Sequence, residues 1–203
     1  MTTKNKICPW AGEDPLYVKY HNEEWGVPQY DDRLFFEKLL LEGFQAGLSW
    51  ITILRKRENF RKAFDGFDPQ KLARYSDAKI DKLMLNEGII RHRGKIESTR
   101  HNARAYLALR EKTTLSDFLW NFMDGRPIEN KFKTSADIPP QTPVSLEISK
   151  ALKKEGFKFV GPTTVYAFMQ SMGFVNDHLV SCIRHKECAK LAKNFKPRSA
   201  SQQ

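Results

Sequence analysis

The stretch DRLFFEKLLLEGFQAGLSWITILRKRENFRKAF, residues 32–64, carries the pattern that decides the fold. Its first part, DRLFFEKLLLEG, sets apolar residues in helical register behind an aspartate cap at Asp31 or Asp32, and Gly43 is the expected stop. Its second part, SWITILRKRENFRKAF, opens on a Ser49 cap and places Ile53, Phe60 and Phe64 roughly on one side. The same signals recur outward from this pair. SDAKIDKLMLNEG and GKIESTRHNARAYLALREK form two helices around a short link, and TLSDFLWNFMDG, TPVSLEISKALKKEG and GPTTVYAFMQSMG each combine a start signal with a terminal Gly. Asn176 is the expected cap of a last helix that carries His178 and Cys182. No stretch alternates long enough to argue for a sheet, so the fold class is all-α.

A chain of 203 residues with 40% hydrophobic content can bury a sizeable core. No apolar run reaches membrane-spanning length, and the polar start MTTKNK is no signal peptide, so a soluble cytoplasmic protein without a membrane partner is expected. Three cysteines, an odd number, argue against a disulfide framework and leave thiols or metal ligands. The formal charge of +10, from 34 Lys and Arg against 24 Asp and Glu, favours a polyanionic partner, nucleic acid first. KFKTSADIPPQTP reads as the long connection. Residues 1–190 are expected to form a single helical domain, and 191–203 a basic, disordered tail.

Within VNDHLVSC, residues 175–182, His178 and Cys182 stand four apart, which on a helix puts both on one face. A structural zinc takes four protein ligands. Candidates for the other two are Cys8, in ICPW, and His21, in VKYHNEEW. The four together would be a closed Cys₂His₂ set, with a role in folding rather than chemistry. The alternative is four separately packed residues, because neither pair is a CxxC-type signature. His185, seven beyond His178, is a rival ligand, and Cys188 points elsewhere.

CPW, DPLYVKYHNEEWGVP, LLLEGFQAGLSWITILRKRENFR, GIIRHRGKI, NARAYL, ALKKEGFKFVGPTT and VNDHLVSC follow one another over roughly residues 8–182. Together they closely resemble the DNA-3-methyladenine glycosylase I family of bacterial alkylation-repair enzymes. The resemblance implies an all-helical, helix-hairpin-helix glycosylase fold and a monomer. It implies hydrolysis of the N-glycosidic bond of 3-methyladenine in alkylated double-stranded DNA, with free 3-methyladenine and an abasic site as products, at the nucleoid of a bacterial cytoplasm. It also implies one structural zinc (Zn2+) per chain, held by Cys8, His21, His178 and Cys182 and tying the terminal segments together. His185 and Cys188 match nothing in the family pattern.

An N3-methylated adenine in DNA is cationic and already a good leaving group. The protein must flip it, recognise it and stabilise a sugar that becomes cation-like. That asks for aromatic walls and one carboxylate. Glu42 follows the buried run Leu39–Leu41 and is bracketed by Gly43 and Gly47, which indicate close backbone approach, so it is the expected catalytic carboxylate. The resemblance implies that Glu42 and Tyr20 hydrogen-bond the base while Trp50 stacks on it. Tyr17, Trp10 and Trp25 would complete the wall. The turn at Gly47 and Leu48 is expected to fill the gap left by flipping. In LNEGIIRHRGKI, Gly88 and Gly94 flank a basic link, and Arg91, Arg93, Gly94 and Lys95 are expected to hold a phosphate at the start of the second helix. The helix that follows, ESTRHNARAYL, offers no Asp where many relatives in the wider superfamily carry a catalytic Asp or Lys, and the lack of a Lys at that usual hairpin-adjacent place argues against a Schiff base. The competing readings are a glycosylase for a different alkylated base, a zinc-stapled DNA-binding module without enzymatic activity, and a zinc hydrolase. The last needs an open metal position that a closed ligand set lacks.

Overall fold

The computed structural model describes residues 6–196. Ten α-helices run through the described residues: α1 (Pro15–Glu23), α2 (Asp32–Gln45), α3 (Trp50–Ala63), α4 (Pro69–Ala73), α5 (Asp77–Met84), α6 (Arg93–Arg110), α7 (Leu115–Trp120), α8 (Pro143–Lys154), α9 (Pro162–Ser171) and α10 (Ile183–Asn194). Side-chain caps account for many of the starts. Asp14, Asp31, Asp68, Ser76, Thr114 and Thr142 each accept from backbone N–H groups of the first turn. Proline opens α1, α4, α8 and α9, where its missing N–H costs nothing. Gly125, Gly156 and Gly173 follow α7, α8 and α9 with positive φ, as their places in the sequence predict.

Helix α2 is apolar on almost every side, so it can only be central. Phe35 meets Phe168 and Phe174, Phe36 meets Tyr106, and Phe44 meets Phe60 and Phe64, with ring centroids 4.6–5.6 Å apart. These contacts bind α3, α6 and α9 around α2. Its N-terminal end is fixed by Asp32, whose carboxylate accepts from the Tyr106 hydroxyl (2.5 Å) and from the Ser116 N–H (2.8 Å). The helix continues through Gly43 to Gln45, past the expected stop. Gly43 sits in a close approach instead: a Cβ there would lie 3.2 Å from the Phe159 Cβ.

The structure corrects three further expectations. Helices α1 and α4 are not among the expected elements, although Asp14-Pro15 and Asp68-Pro69 are start signals. Asn176 caps no helix. Val175–Asn176 (β2) pairs in parallel with Ile128–Glu129 (β1), Ile128 opposite Val175, and α10 begins only after Cys182. The polar side chains here favour tertiary partners over a cap. Asn176 donates to the His185 carbonyl, and Asp177 accepts from Asn130, Tyr166 and Gln170 at 2.6–2.8 Å. The expected tail also starts later, because α10 runs to Asn194 and Phe195 packs on Trp120 at 4.7 Å. Residues 1–5 and 197–203, where the polar start and the rest of the tail fall, lie outside the described residues. No helix among the described residues is long and apolar enough to cross a membrane.

Gly173 supplies a direct test of this packing. Its φ is +70°, and a Cβ would fall 2.3 Å from the Pro28 nitrogen, against backbone that cannot swing aside. Left-handed strain and overpacking together give Gly173→Ala an expected loss of about 3 kcal/mol or more. Urea denaturation measures it. A loss under about 1 kcal/mol would show that the Val27–Pro28 segment yields.

Candidate active site and metal centre

Several elements converge on one pocket. The short turn at Pro9–Ala11 and helix α1 bring Trp10, Tyr17, Tyr20 and Trp25. The end of α2 brings Glu42 and Gln45, and the start of α3 brings Trp50. Ile138, Ala167 and Gln170 close the remaining side of a cavity of about 190 Å³, a size suited to a small flat group. Trp10, Tyr17, Tyr20, Trp25 and Trp50, the residues expected to form the wall, all line it. Most ring pairs stand edge-on or tilted: Trp10 lies 5.0 Å from both Tyr17 and Trp25, and Tyr20 lies 5.4 Å from Trp50, while Tyr17 and Tyr20 are near parallel at 6.4 Å. The buried Trp50 Nε1–H has no acceptor among the described residues, a donor that a ligand can satisfy.

Glu42 is buried at 3% exposure. Burial pushes its carboxyl above the ordinary glutamate range, against the pull of a neighbouring ammonium. That ammonium belongs to Lys38, one turn earlier on α2, 3.5 Å from the Glu42 Oε1. Lys38 Nζ also donates to the Tyr20 hydroxyl oxygen (2.7 Å) and stands 3.5 Å from the centroid of the Trp50 ring. Sequence reading passed over this residue. The available signal was a lysine in the apolar run FFEKLLLEG, four before the chosen carboxylate, since a buried lysine requires a partner.

The turn between α2 and α3 carries Gly47 and Leu48. Gly47 has φ +81° and open space beside it, so it serves the turn and not a close approach. Leu48 is 40% exposed. Gln45 braces the turn by donating from Nε2 to the Leu48 carbonyl (2.7 Å). The link Leu85–His92 between α5 and α6 is tied to α3 by Lys56, which donates to the Glu87 carbonyl (2.8 Å). Arg91 and Arg93 are half exposed and paired only with surface carboxylates, Arg91 with Glu87 and Arg93 with Asp81 and Glu97. Gly94 lies in the first turn of α6. Lys95 does not join these cations. Its ammonium is turned inward and donates to the Phe44 and Ala46 carbonyls (2.9 and 2.5 Å). The last carbonyls of α2 have no helical partner and attract a cation. Lys95 therefore anchors α6 to the turn at the pocket mouth.

Cys8, His21, His178 and Cys182 form a second cluster directly behind the pocket. All four are buried, and their ligand atoms lie within 4.8 Å of one another. His178 Nδ1 is 3.6 Å from Cys8 Sγ and 3.7 Å from Cys182 Sγ, and His21 Nε2 is 3.5 Å from Cys182 Sγ. The other nitrogen of each ring is engaged outward, His21 Nδ1 with Asn22 Oδ1 (2.7 Å) and His178 Nε2 with the Trp25 carbonyl (3.0 Å). Both acceptors draw the ring proton outward and leave a lone pair facing the cluster, the arrangement of metal-binding histidines. The donor set fits a metal ion. His178 and Cys182 meet across a turn closed by the Cys182 N–H and the Leu179 carbonyl (2.7 Å), not along a shared helical face. His185 points away and contacts the Asn130 carbonyl (2.8 Å), which removes it as a rival. The cluster also supports the wall, with Trp25 4.6 Å from His178 and Trp10 5.2 Å from His21.

The pocket sets aromatic rings and one carboxylate around a space the size of a small flat group. The sequence pattern of the methyladenine glycosylase family matches residues 10–185. Over 183 residues the chain is 52% identical to a DNA-3-methyladenine glycosylase of Haemophilus influenzae, covering 90% of this chain and 97% of that one. The crystal structure of a 3-methyladenine DNA glycosylase I superposes with a TM-score of 0.86 at 50% identity, covering 88% of this chain and 98% of that one. A tyrosine-to-phenylalanine variant of a 3-methyladenine DNA glycosylase I, solved in complex with 3-methyladenine, superposes with a TM-score of 0.84 at 37% identity, covering 87% and 96%. The chain belongs to the methyladenine glycosylase family.

Proposed function

We propose that this protein excises 3-methyladenine from alkylated double-stranded DNA by hydrolysing its N-glycosidic bond. The observation that carries the reading is the pocket itself: a buried carboxylate, Glu42, faced by Tyr20 and Trp50. A flipped methylated adenine would insert between the aromatic faces, with its exocyclic amino group toward Glu42. As the bond breaks, its electron pair passes to the base and cancels the positive charge, while the sugar takes up that charge and then water. The base needs no protonation to leave. The relatives named for 3-methyladenine, one solved with it bound, support the same reading. The decisive experiment incubates methylated DNA with the protein and identifies the released bases. Release of another alkylated base in place of 3-methyladenine would redirect the assignment.

The duplex is held from the same side. Arg91, Arg93 and the N–H groups at the start of α6 receive phosphates in this reading, and Leu48 fills the vacated stack. Their surface ion pairs are weak enough to exchange for phosphate. The lysine anchor keeps phosphate site and wedge in fixed register. Arg91→Glu with Arg93→Glu should reduce the salt dependence of duplex binding by about one unit of slope for each phosphate no longer neutralised, without regard to sequence. An unchanged slope would move the footprint elsewhere.

The ion of the second cluster is zinc in this reading. Zinc bonds of about 2.3 Å to sulfur and 2.0–2.1 Å to nitrogen give tetrahedral S···N edges of about 3.6 Å. The S···N separations within the cluster, 3.5–3.7 Å, agree with that edge. Two thiolates neutralise the ion, which suits complete burial. With all four positions filled, zinc supplies folding free energy and no bound water.

A further inference from the structure

Lys38 engages the three pocket groups assigned above to the base. Its ammonium donates to the Tyr20 oxygen, faces the Glu42 carboxylate and lies over the Trp50 ring. It cannot withdraw to solvent, because it is 5% exposed on the central helix. Among the described residues the carboxylate in contact with it is Glu42; Glu24 at the α1 end pulls on it from farther off and is itself held by Arg57 of α3 (2.6 Å), and Glu37 is held by Arg61 (2.7 Å). The pocket therefore already contains a cation where a cationic ring would seek its countercharge.

We propose that Lys38 is a specificity-determining residue whose tethered ammonium answers the charge of Glu42, so that the pocket accepts neutral methylated purines alongside cationic ones. The inference rests on the glycosylase reading of the site. Lys38 acts through Glu42, Tyr20 and Trp50, and it sets how much affinity a positive charge on the base adds. With both Lys38 and Glu42 ionised, a cationic ligand gains a carboxylate and meets an ammonium at similar range, and the two effects oppose. A neutral ring meets neither penalty nor gain. Hydrogen bonding is set too. Lys38 takes a lone pair of the Tyr20 oxygen, which leaves the Tyr20 O–H as a donor to the ligand.

Burial pushes the Lys38 ammonium down to about 8, against the opposing pull of Glu42. Raising the pH through that value removes the ammonium and leaves Glu42 unanswered. The sign follows: preference for a cation rises with pH.

The test compares two probes, free 3-methyladenine, which is neutral, and 3,9-dimethyladeninium, which is permanently cationic and substituted at N9 as the lesion is. The readout is the ratio of their affinities, measured by titration on the intact protein. For the wild type the ratio should move toward the cation by about tenfold between about pH 7 and about pH 9.5. Lys38→Met, similar in shape and uncharged, should show a similar shift already near pH 7.5. Lys38→Arg keeps the charge and should hold the ratio low and flat over the whole range. A wild-type ratio that ignores pH overturns the inference whether or not either variant folds, as does a folded Lys38→Met protein with the wild-type ratio. If neither probe binds the wild type at all, the glycosylase reading fails and the inference falls with it. If both bind but the ratio stays fixed, only the role of Lys38 is wrong.

Discussion

Replacing His178 with Ala, or Cys182 with Ser, should empty the metal cluster and take most of the stability with it. Zinc bound by four such ligands contributes about 10–16 kcal/mol in small peptides, as much as the whole folding free energy of a typical domain. Metal content should drop from near one ion per chain to near zero, and the thermal midpoint should fall by tens of degrees or the transition vanish. Elemental analysis and thermal denaturation on the same preparation check both. Chelation of the wild type should reproduce the effect and change tryptophan emission, since Trp10 and Trp25 pack on the two histidines. A His178→Ala protein that kept its ion would need a fourth ligand that the cluster does not show. A metal-free protein that stayed fully stable but inactive would make the ion catalytic.

Glu42→Gln should come next in size, in activity and not in fold. The amide keeps the shape and removes the charge, so Lys38 is left buried without its anion. Charge recognition of this kind is worth roughly 2 kcal/mol or more when desolvated, which slows single-turnover excision by about 30-fold or more. Duplex binding through α6 should survive. The pH profile separates recognition from acid catalysis. Burial pushes the Glu42 carboxyl upward, so its acid limb should lie above that of an ordinary glutamate. Excision should fall as pH drops through that limb, because the carboxylate is lost, and should not fall with mild base. A wild-type rate that collapses as pH rises past neutrality would instead reveal an essential acid. A Glu42→Gln protein as active as wild type would remove the carboxylate from the mechanism.

The all-helical class and most helix boundaries were legible because caps and terminal glycines act locally, through a few hydrogen bonds and a single φ angle. Asp31, Ser76, Thr114 and Thr142 needed no knowledge of the rest of the chain. Asn176 misled for the opposite reason. Its side chain has a partner nine residues on, and a cap signal cannot compete with a tertiary bond it does not see. Of the site, the aromatic residues and Glu42 were expected from a family resemblance together with the chemistry required, and the Cys and His set from residue type and the same resemblance. What sequence could not show was direction. Lys95 reads as one more cation in RHRGK, yet its ammonium faces α2 while Arg91 and Arg93 face solvent. Lys38 reads as one polar position in an apolar helix, yet it stands among the recognition groups.

The contact between residues 8 and 182 has a mechanical meaning. With an ion in place, Cys8 and Cys182 close all the helices from α1 to α9 into one ring, and of the described helices only α10 lies outside it. Even a chain stripped of its helices would remain a loop. Closing that loop costs entropy only as the logarithm of its length, so joining distant residues is scarcely dearer than joining near ones. A protease motor pulling from the C-terminal side would have to peel α10 from its packing, Phe195 off Trp120 and His185 off Asn130, and would then be brought to a halt at Cys182. There it must break a metal–sulfur bond, or take in two strands at once, before a single residue of the pocket is disturbed.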